Sequence, residues 1–224
     1  MKGGILCWLD RRWLQFSRCG ETDLKIGILA DIHEAHQQLR RAIDCLRSEK
    51  VQEFVVLGDI FETGRGLENT VELLAQIGVV GVFGNHDLGL SVAPDEQTYR
   101  RYGTQIVDFF AGLRPRYEID DCLFTHSQAW MDPADIEQPW YLHPIPATDK
   151  LLAQNFAATD QRVMFQGHYH RWLAAVPAGP LSWQGGSSLK LDMNQRYLIV
   201  VHAVCDGWSA VYDTERAFLQ PLRI

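Results

Sequence analysis

An α/β fold is predicted for this 224-residue chain, and three observations predict it. Apolar runs at residues 24–30, 54–57 and 79–83 have the length of strands. Between them, residues 37–50 and 67–77 repeat apolar side chains at three- and four-residue spacing, the period of a helix with one buried face. The order strand–helix–strand–helix–strand is that of parallel strands joined by right-handed crossovers.

Taken in order, the first run ends at Asp31-Ile32-His33. The helix after it buries Leu39, Ala42, Ile43 and Leu46. The second strand ends at Gly58-Asp59, and the second helix carries Val71, Leu74 and Ile77 on one face before Gly78 stops it. The third strand runs into Gly84-Asn85-His86-Asp87. Pro94 suits the first turn of a third helix reaching about residue 110. Residues 117–119 and 123–125 form a hairpin around Asp120-Asp121. Residues 127–147 have no period and hold Trp130, Trp140 and Tyr141; a loop of that length is more often functional than filler. Thr148 is placed to cap a helix over 148–158, and residues 163–166 form a strand ending at Gly167-His168-Tyr169-His170. Further β-like runs lie at 181–184, 197–204, 208–212 and 217–222.

The 46% hydrophobic content is enough for a substantial core. Residues 1–23 are assigned to an extension of unknown role and 24–224 to one domain. A net charge of −7 argues against non-specific nucleic-acid binding, although bound cations would still admit an anionic substrate. The five cysteines are odd in number and widely spaced, with no Cys-x-x-Cys, so reduced thiols in a cytoplasmic protein are expected. No apolar run approaches the ~18 residues of a membrane span.

Five polar clusters follow five strands: Asp31 with His33, Asp59, Asn85-His86-Asp87, His126, and His168 with His170. Ligands of open α/β sheets bind outside the carboxyl ends of the strands, so these clusters are expected to converge. Imidazole nitrogens and carboxylate oxygens suit two divalent cations of the Mn, Fe, Zn, Ni or Co type, with manganese favoured. Such a pair clamps a phosphoryl group, and one carboxylate should bridge it. A single Asp after a glycine-ended strand, Gly58-Asp59, is the natural bridge.

These motifs, in this order across residues 31–170, resemble the calcineurin-like metallophosphoesterase superfamily. The resemblance implies a two-sheet β-sandwich flanked by helices, the C-terminal strands forming much of the second sheet. It implies one metal on Asp31, His33, Asp59 and His170, and a second on Asp59, Asn85, His126 and His168. A metal-bridging hydroxide would attack phosphorus in line. His86 would contact the phosphate and protonate the leaving oxygen, and Asp87 would orient His86. Among the family's branches the chain is similar to small bacterial phosphodiesterases, which often carry Cys where His86 stands.

The sequence departs from the family in having Ser127 after His126 where glycine is common. Arg65 is a candidate phosphate contact, with a solvated loop arginine as the alternative. His143, with Trp140 and Tyr141, lines a substrate pocket or packs within its own loop. His36 is expected on the surface. A phosphodiester or nucleotide substrate is preferred. A phosphomonoester or phosphoprotein substrate is the alternative, and a non-catalytic, metal-bound scaffold is the alternative of another class.

Overall fold

The computed structural model describes residues 24–135 and 140–224. The expected N-terminal extension, with Cys7 and Cys19, and the side chain of Trp140 lie outside the described residues. The elements are β1 (Lys25–Leu29), α1 (His36–Ser48), β2 (Glu53–Leu57), α2 (Leu67–Gln76), β3 (Val80–Val82), α3 (Leu88–Ser91), α4 (Glu96–Tyr102), α5 (Thr104–Ala111), β4 (Tyr117–Ile119) and β5 (Cys122–Thr125). A short 3-10 turn (Trp140–Leu142) precedes α6 (Asp149–Ala157) and β6 (Val163–Gln166). The chain then adds β7 (Leu173–Val176), β8 (Gly179–Pro180), β9 (Leu189–Lys190), β10 (Tyr197–Val200), β11 (Trp208–Asp213) and β12 (Phe218–Arg223).

Two six-stranded sheets result, ordered β3-β2-β1-β11-β12-β9 and β4-β5-β6-β10-β7-β8. In the first, β1, β2 and β3 are parallel, as the two crossovers require. The alternation of side chains along each strand decides which layer each residue enters. Ile26, Ile28 and Ala30 point from β1 into the space between the sheets, where Phe124, Phe165, Ile199 and Tyr212 meet them. Leu29 and Val56 point the other way, onto Leu39, Ile43 and Leu46 of α1, Val71 and Leu74 of α2 and Phe110 of α5. On the far side, Leu123, Met164 and Leu198 bury Leu152 and Phe156 of α6. The molecule is therefore an α/β sandwich with helices on both outer faces.

Two expectations are corrected. The single helix over 94–110 is replaced by two short ones, α4 and α5. Asp95, not Pro94, begins α4, its carboxylate accepting a hydrogen bond from the Thr98 amide. Gly103, at φ 80°, then breaks the run between α4 and α5, where a residue with a β-carbon would be strained. Residues 181–184 lie between strands β8 and β9. Trp183 there packs on Trp172 instead of entering a ladder.

Candidate metal centre

The carboxyl ends of β1, β2, β3, β5 and β6 open onto one rim, and the five polar clusters meet there. The backbone binds the first two tightly. The amides of Asp31, Ile32, His33 and Glu34 donate across to the carbonyls of Gly58, Asp59, Asp59 and Ile60 at 2.8–3.1 Å. Asp31, His33, Glu34, Asp59, His168 and His170 all have positive φ. Each such residue costs on the order of 1–3 kcal/mol, so six represent strain comparable with the ~5–15 kcal/mol stability of a whole domain. This zipper of amides holds the first four in place. Gly58 and Gly84 allow the closest approach: a β-carbon on Gly58 would overlap the Gly84 amide, and one on Gly84 would overlap Asp59.

Two groups of three converge: Asp31 with His33 and His170, and Asp59 with His126 and His168, each with its donor atoms within 4.8 Å of one another. Asp59 stands between them. Its Oδ1 accepts the His86 amide at 2.9 Å, while Oδ2 lies 3.8 Å from His33 Nε2 and 3.3 Å from His126 Nε2. Asn85 Oδ1 is 3.2 Å from the same His126 nitrogen. His33 Nε2 and His170 Nε2 are 3.2 Å apart, and both carboxylate oxygens of Asp31 accept the His168 amide at 2.9 Å.

The opposite nitrogen of each imidazole is tied to an oxygen. His33 Nδ1 meets Glu62 at 2.8 Å, His126 Nδ1 the Leu57 carbonyl at 2.5 Å, His168 Nε2 the Tyr141 carbonyl at 2.8 Å, and His170 Nδ1 Asp206 at 3.0 Å. Imidazoles held this way present one lone pair in a fixed direction, the arrangement by which proteins orient histidine on a metal. The donor set of imidazoles, carboxylates and one amide oxygen thus fits two borderline-hard divalent cations.

The charges are strongly coupled. Burial pushes the Asp31 carboxyl up to about 7 against the pull of His126. Burial and the neighbouring Asp59 push Asp87 up to about 7 as well. Burial opposes ionisation of Asp59 too, but the charge and hydrogen bond of His126 outweigh it and hold Asp59 below the usual carboxylate range. Reciprocally, Asp59 overcomes burial to raise His126 to about 9, whereas burial, with His126 beside it, lowers His168 to about 4. Unfolded carboxyls titrate near about 4 and unfolded imidazole near about 6.5. Between pH 7 and 9 the folded, chelated protein therefore holds protons on His126, and residually on Asp31 and Asp87, that the unfolded chain has lost. Stability must fall as pH rises through this window. The urea midpoint in excess chelator is expected to be lower at pH 9 than at pH 7; an equal or higher midpoint would contradict this charge arrangement.

The structure corrects the expected role of Asp87. Its buried carboxylate accepts the amides of Ile60 and Phe61 on Oδ1 and of Gly84 on Oδ2, at 2.8–3.0 Å. The turn closed by the Asp87 amide on the Gly84 carbonyl sends this side chain inward, away from His86. Asp87 clamps the loops after β2 and β3 together. The carboxylate beside His86 is Glu62, 3.1 Å from its Nδ1, and the same Oε2 reaches His33. Glu62 is placed by Glu34, whose carboxylate accepts the amides of Glu62, Thr63, Gly64 and Gly66. Those bonds outweigh burial and hold Glu34 below its ordinary range.

Neither expected substrate contact joins the cluster. The Arg65 side chain is exposed on the loop gathered by Glu34. His143 packs edge-on against Trp130, ring centroids 4.9 Å apart. The long loop reaches the site through the Tyr141 main chain instead. His36 begins α1 and faces the groove with Arg40 and Glu72, away from the cluster. Ser127 keeps an ordinary φ, and its hydroxyl meets Tyr169 Oη at 3.1 Å. Cys45, Cys122 and Cys205 are free. Cys205 lies 3.8 Å from His170 Nδ1, its thiol pushed up to about 12 by burial and Asp206.

A two-sheet sandwich with this set of ligands at its rim is that of a dinuclear metal hydrolase. The family model for calcineurin-like phosphoesterases matches residues 24–200, and the chain belongs to that family. Its members hydrolyse phosphate esters with two metal ions. Among solved structures, a metallophosphoesterase from Sphaerobacter thermophilus superposes with a TM-score of 0.72 at 21% identity, over 91% of this chain and 89% of that one. A novel archaeal phosphodiesterase gives 0.51 at 15% identity, over 90% and 100%. An uncharacterised protein of Methanocaldococcus jannaschii, MJ0912, is 27% identical over 78 residues, covering 35% of this chain and 32% of that protein. The match therefore spans about a third of that curated relative's length. Among the described residues, no helix is long and apolar enough to cross a membrane.

Proposed function

We propose that the protein hydrolyses a phosphodiester or nucleotide-type ester at a dinuclear centre, manganese being the favoured metal. The position of Asp59 Oδ2 between His33 and His126 carries the reading, because a carboxylate there would serve both candidate ligand groups. Asp31, His33, Asp59 and His170 would hold one cation, and Asp59, Asn85, His126 and His168 the other. When bound, the cations supply an activated water and the positive charge that draws the phosphoryl oxygens.

The remaining work falls to the chain. His33, His126, His168 and His170 keep their ring orientations through Glu62, Leu57, Tyr141 and Asp206. His86, partly exposed at the rim, contacts the phosphate and passes a proton to the leaving oxygen. The Glu62 carboxylate stands 3.1 Å from His86 Nδ1, where it pairs with the ring whenever the imidazole is protonated. The archaeal phosphodiesterase shares this scaffold, which accords with a diester substrate.

A panel of p-nitrophenyl monoesters, bis(p-nitrophenyl) phosphate and nucleotides tests the reading. Manganese-dependent turnover is expected, with the diester or a nucleotide ahead of simple monoesters. Inactivity across the panel with two manganese ions bound per chain would favour a non-catalytic scaffold.

A further inference from the structure

Beside His86 lies a cavity of about 280 Å³ that none of the metal ligands lines. Phe61, Leu90 and Tyr102 give it apolar walls, and Gln97, Thr98 and Arg101 supply polar groups. Phe61 and Tyr102 meet edge to face, centroids 5.8 Å apart at 88°, and the Arg101 guanidinium lies 4.9 Å from the Tyr102 ring centre. The spacing of α4 builds this wall: Gln97 and Arg101, and likewise Thr98 and Tyr102, are four residues apart and share a face. The loop bearing Phe61 is fixed by the bond from its amide to buried Asp87. The cavity is thus made of anchored elements.

Three features identify its occupant. His86 lines the cavity and also groups with His33 and Asp59, so whatever leaves from the phosphate on the His86 side enters here. The volume lies just below the range of small-molecule pockets, roughly 300–1,000 Å³, and suits one fused ring with a sugar better than a peptide. The charges of Asp95 and Arg101, both at the lining, offset each other, which disfavours a second phosphate and favours a neutral group with a flat face and polar edges.

We infer that this cavity is the leaving-group subsite and that it receives a nucleoside, its base against Tyr102 and Phe61 and its polar edge toward Gln97 and Arg101. The inference rests on the proposed phosphoesterase reading and narrows it to substrates that release a nucleoside.

The test uses the full chain, with adenosine as probe and ribose as the control lacking a base. Calorimetric titration without turnover should show adenosine binding at least about tenfold more tightly than ribose, the scale of one base–aromatic stack. That preference should shrink in Tyr102→Ala and in Arg101→Ala; the second variant sits on an exposed helix face and guards against misfolding of the first. Adenosine should also inhibit p-nitrophenyl phosphate hydrolysis competitively. Equal binding of adenosine and ribose, a preference unchanged in both variants, or inhibition that is absent or not competitive would each overturn the subsite. Failure of the broader reading is separate: it would appear as no turnover of any ester in the panel, nucleotides included, by the wild-type protein with manganese.

Discussion

Asp59→Asn is expected to lower kcat/KM by at least about 10³-fold, since the charge stabilisation supplied by a metal site is worth several kcal/mol and each 1.4 kcal/mol is tenfold. The substitution is nearly isosteric, so the effect is electronic. Asparagine can keep the bond to the His86 amide only by turning its oxygen that way, and its amide nitrogen then faces His126 and His33. A neutral amide donor would then stand where a bridging anion is needed. The variant also leaves buried His126 without its carboxylate partner, which should depress its basicity and cost stability. Metal content by elemental analysis should fall below two ions per chain while circular dichroism remains that of the folded protein. Wild-type metal content with undiminished turnover would remove Asp59 from the bridge.

His86→Gln should separate substrates by leaving group. A general acid contributes roughly 10²–10⁴-fold where the departing oxygen needs a proton. Alkyl and nucleoside esters should lose about that much. Nitrophenyl esters, whose leaving group departs as a stable anion, should lose far less. Metal content is expected to hold, because His86 lies outside the two proposed ligand sets and glutamine keeps the backbone amide that Asp59 accepts. A uniform loss across both ester types would make His86 a phosphate-binding group without proton transfer.

What was legible in the sequence followed the chemistry of strand ends. Asp31, His33, Asp59, Asn85, His126, His168 and His170 each close an apolar run, so local pattern and parallel topology suffice to bring them together. The residues that orient them were not legible. Glu62, Asp206 and the Tyr141 carbonyl act on histidines 27–36 residues away in sequence, and they arrive by loops whose paths no period encodes. The role that the family resemblance implied for Asp87 fails for a related reason: a tight turn directs its carboxylate onto the amides of Ile60, Phe61 and Gly84. Gly103, in contrast, was a readable break in the helix that the surrounding hydrophobic pattern masked. The cavity beside α4 depended on that break and on the Asp95 cap, so it could not be drawn before the short helices were seen.

The sheet order has a bearing on how the protein is made. Strand β1, which delivers Asp31 and His33, is paired on one side with β2 and on the other with β11, almost the whole chain away. The turn leading into β11 closes on the same strand end, the amides of Val204 and Cys205 donating to the carbonyls of Ala30 and Asp31. It also carries Asp206 to His170. During synthesis, the first ligand-bearing loop emerges early but stays an unpaired sheet edge until residues past 213 are available. Long-range pairing of this kind slows folding and leaves intermediates open to association. The candidate centre therefore depends on the docked C-terminal strands, whose turn carries Asp206 to His170.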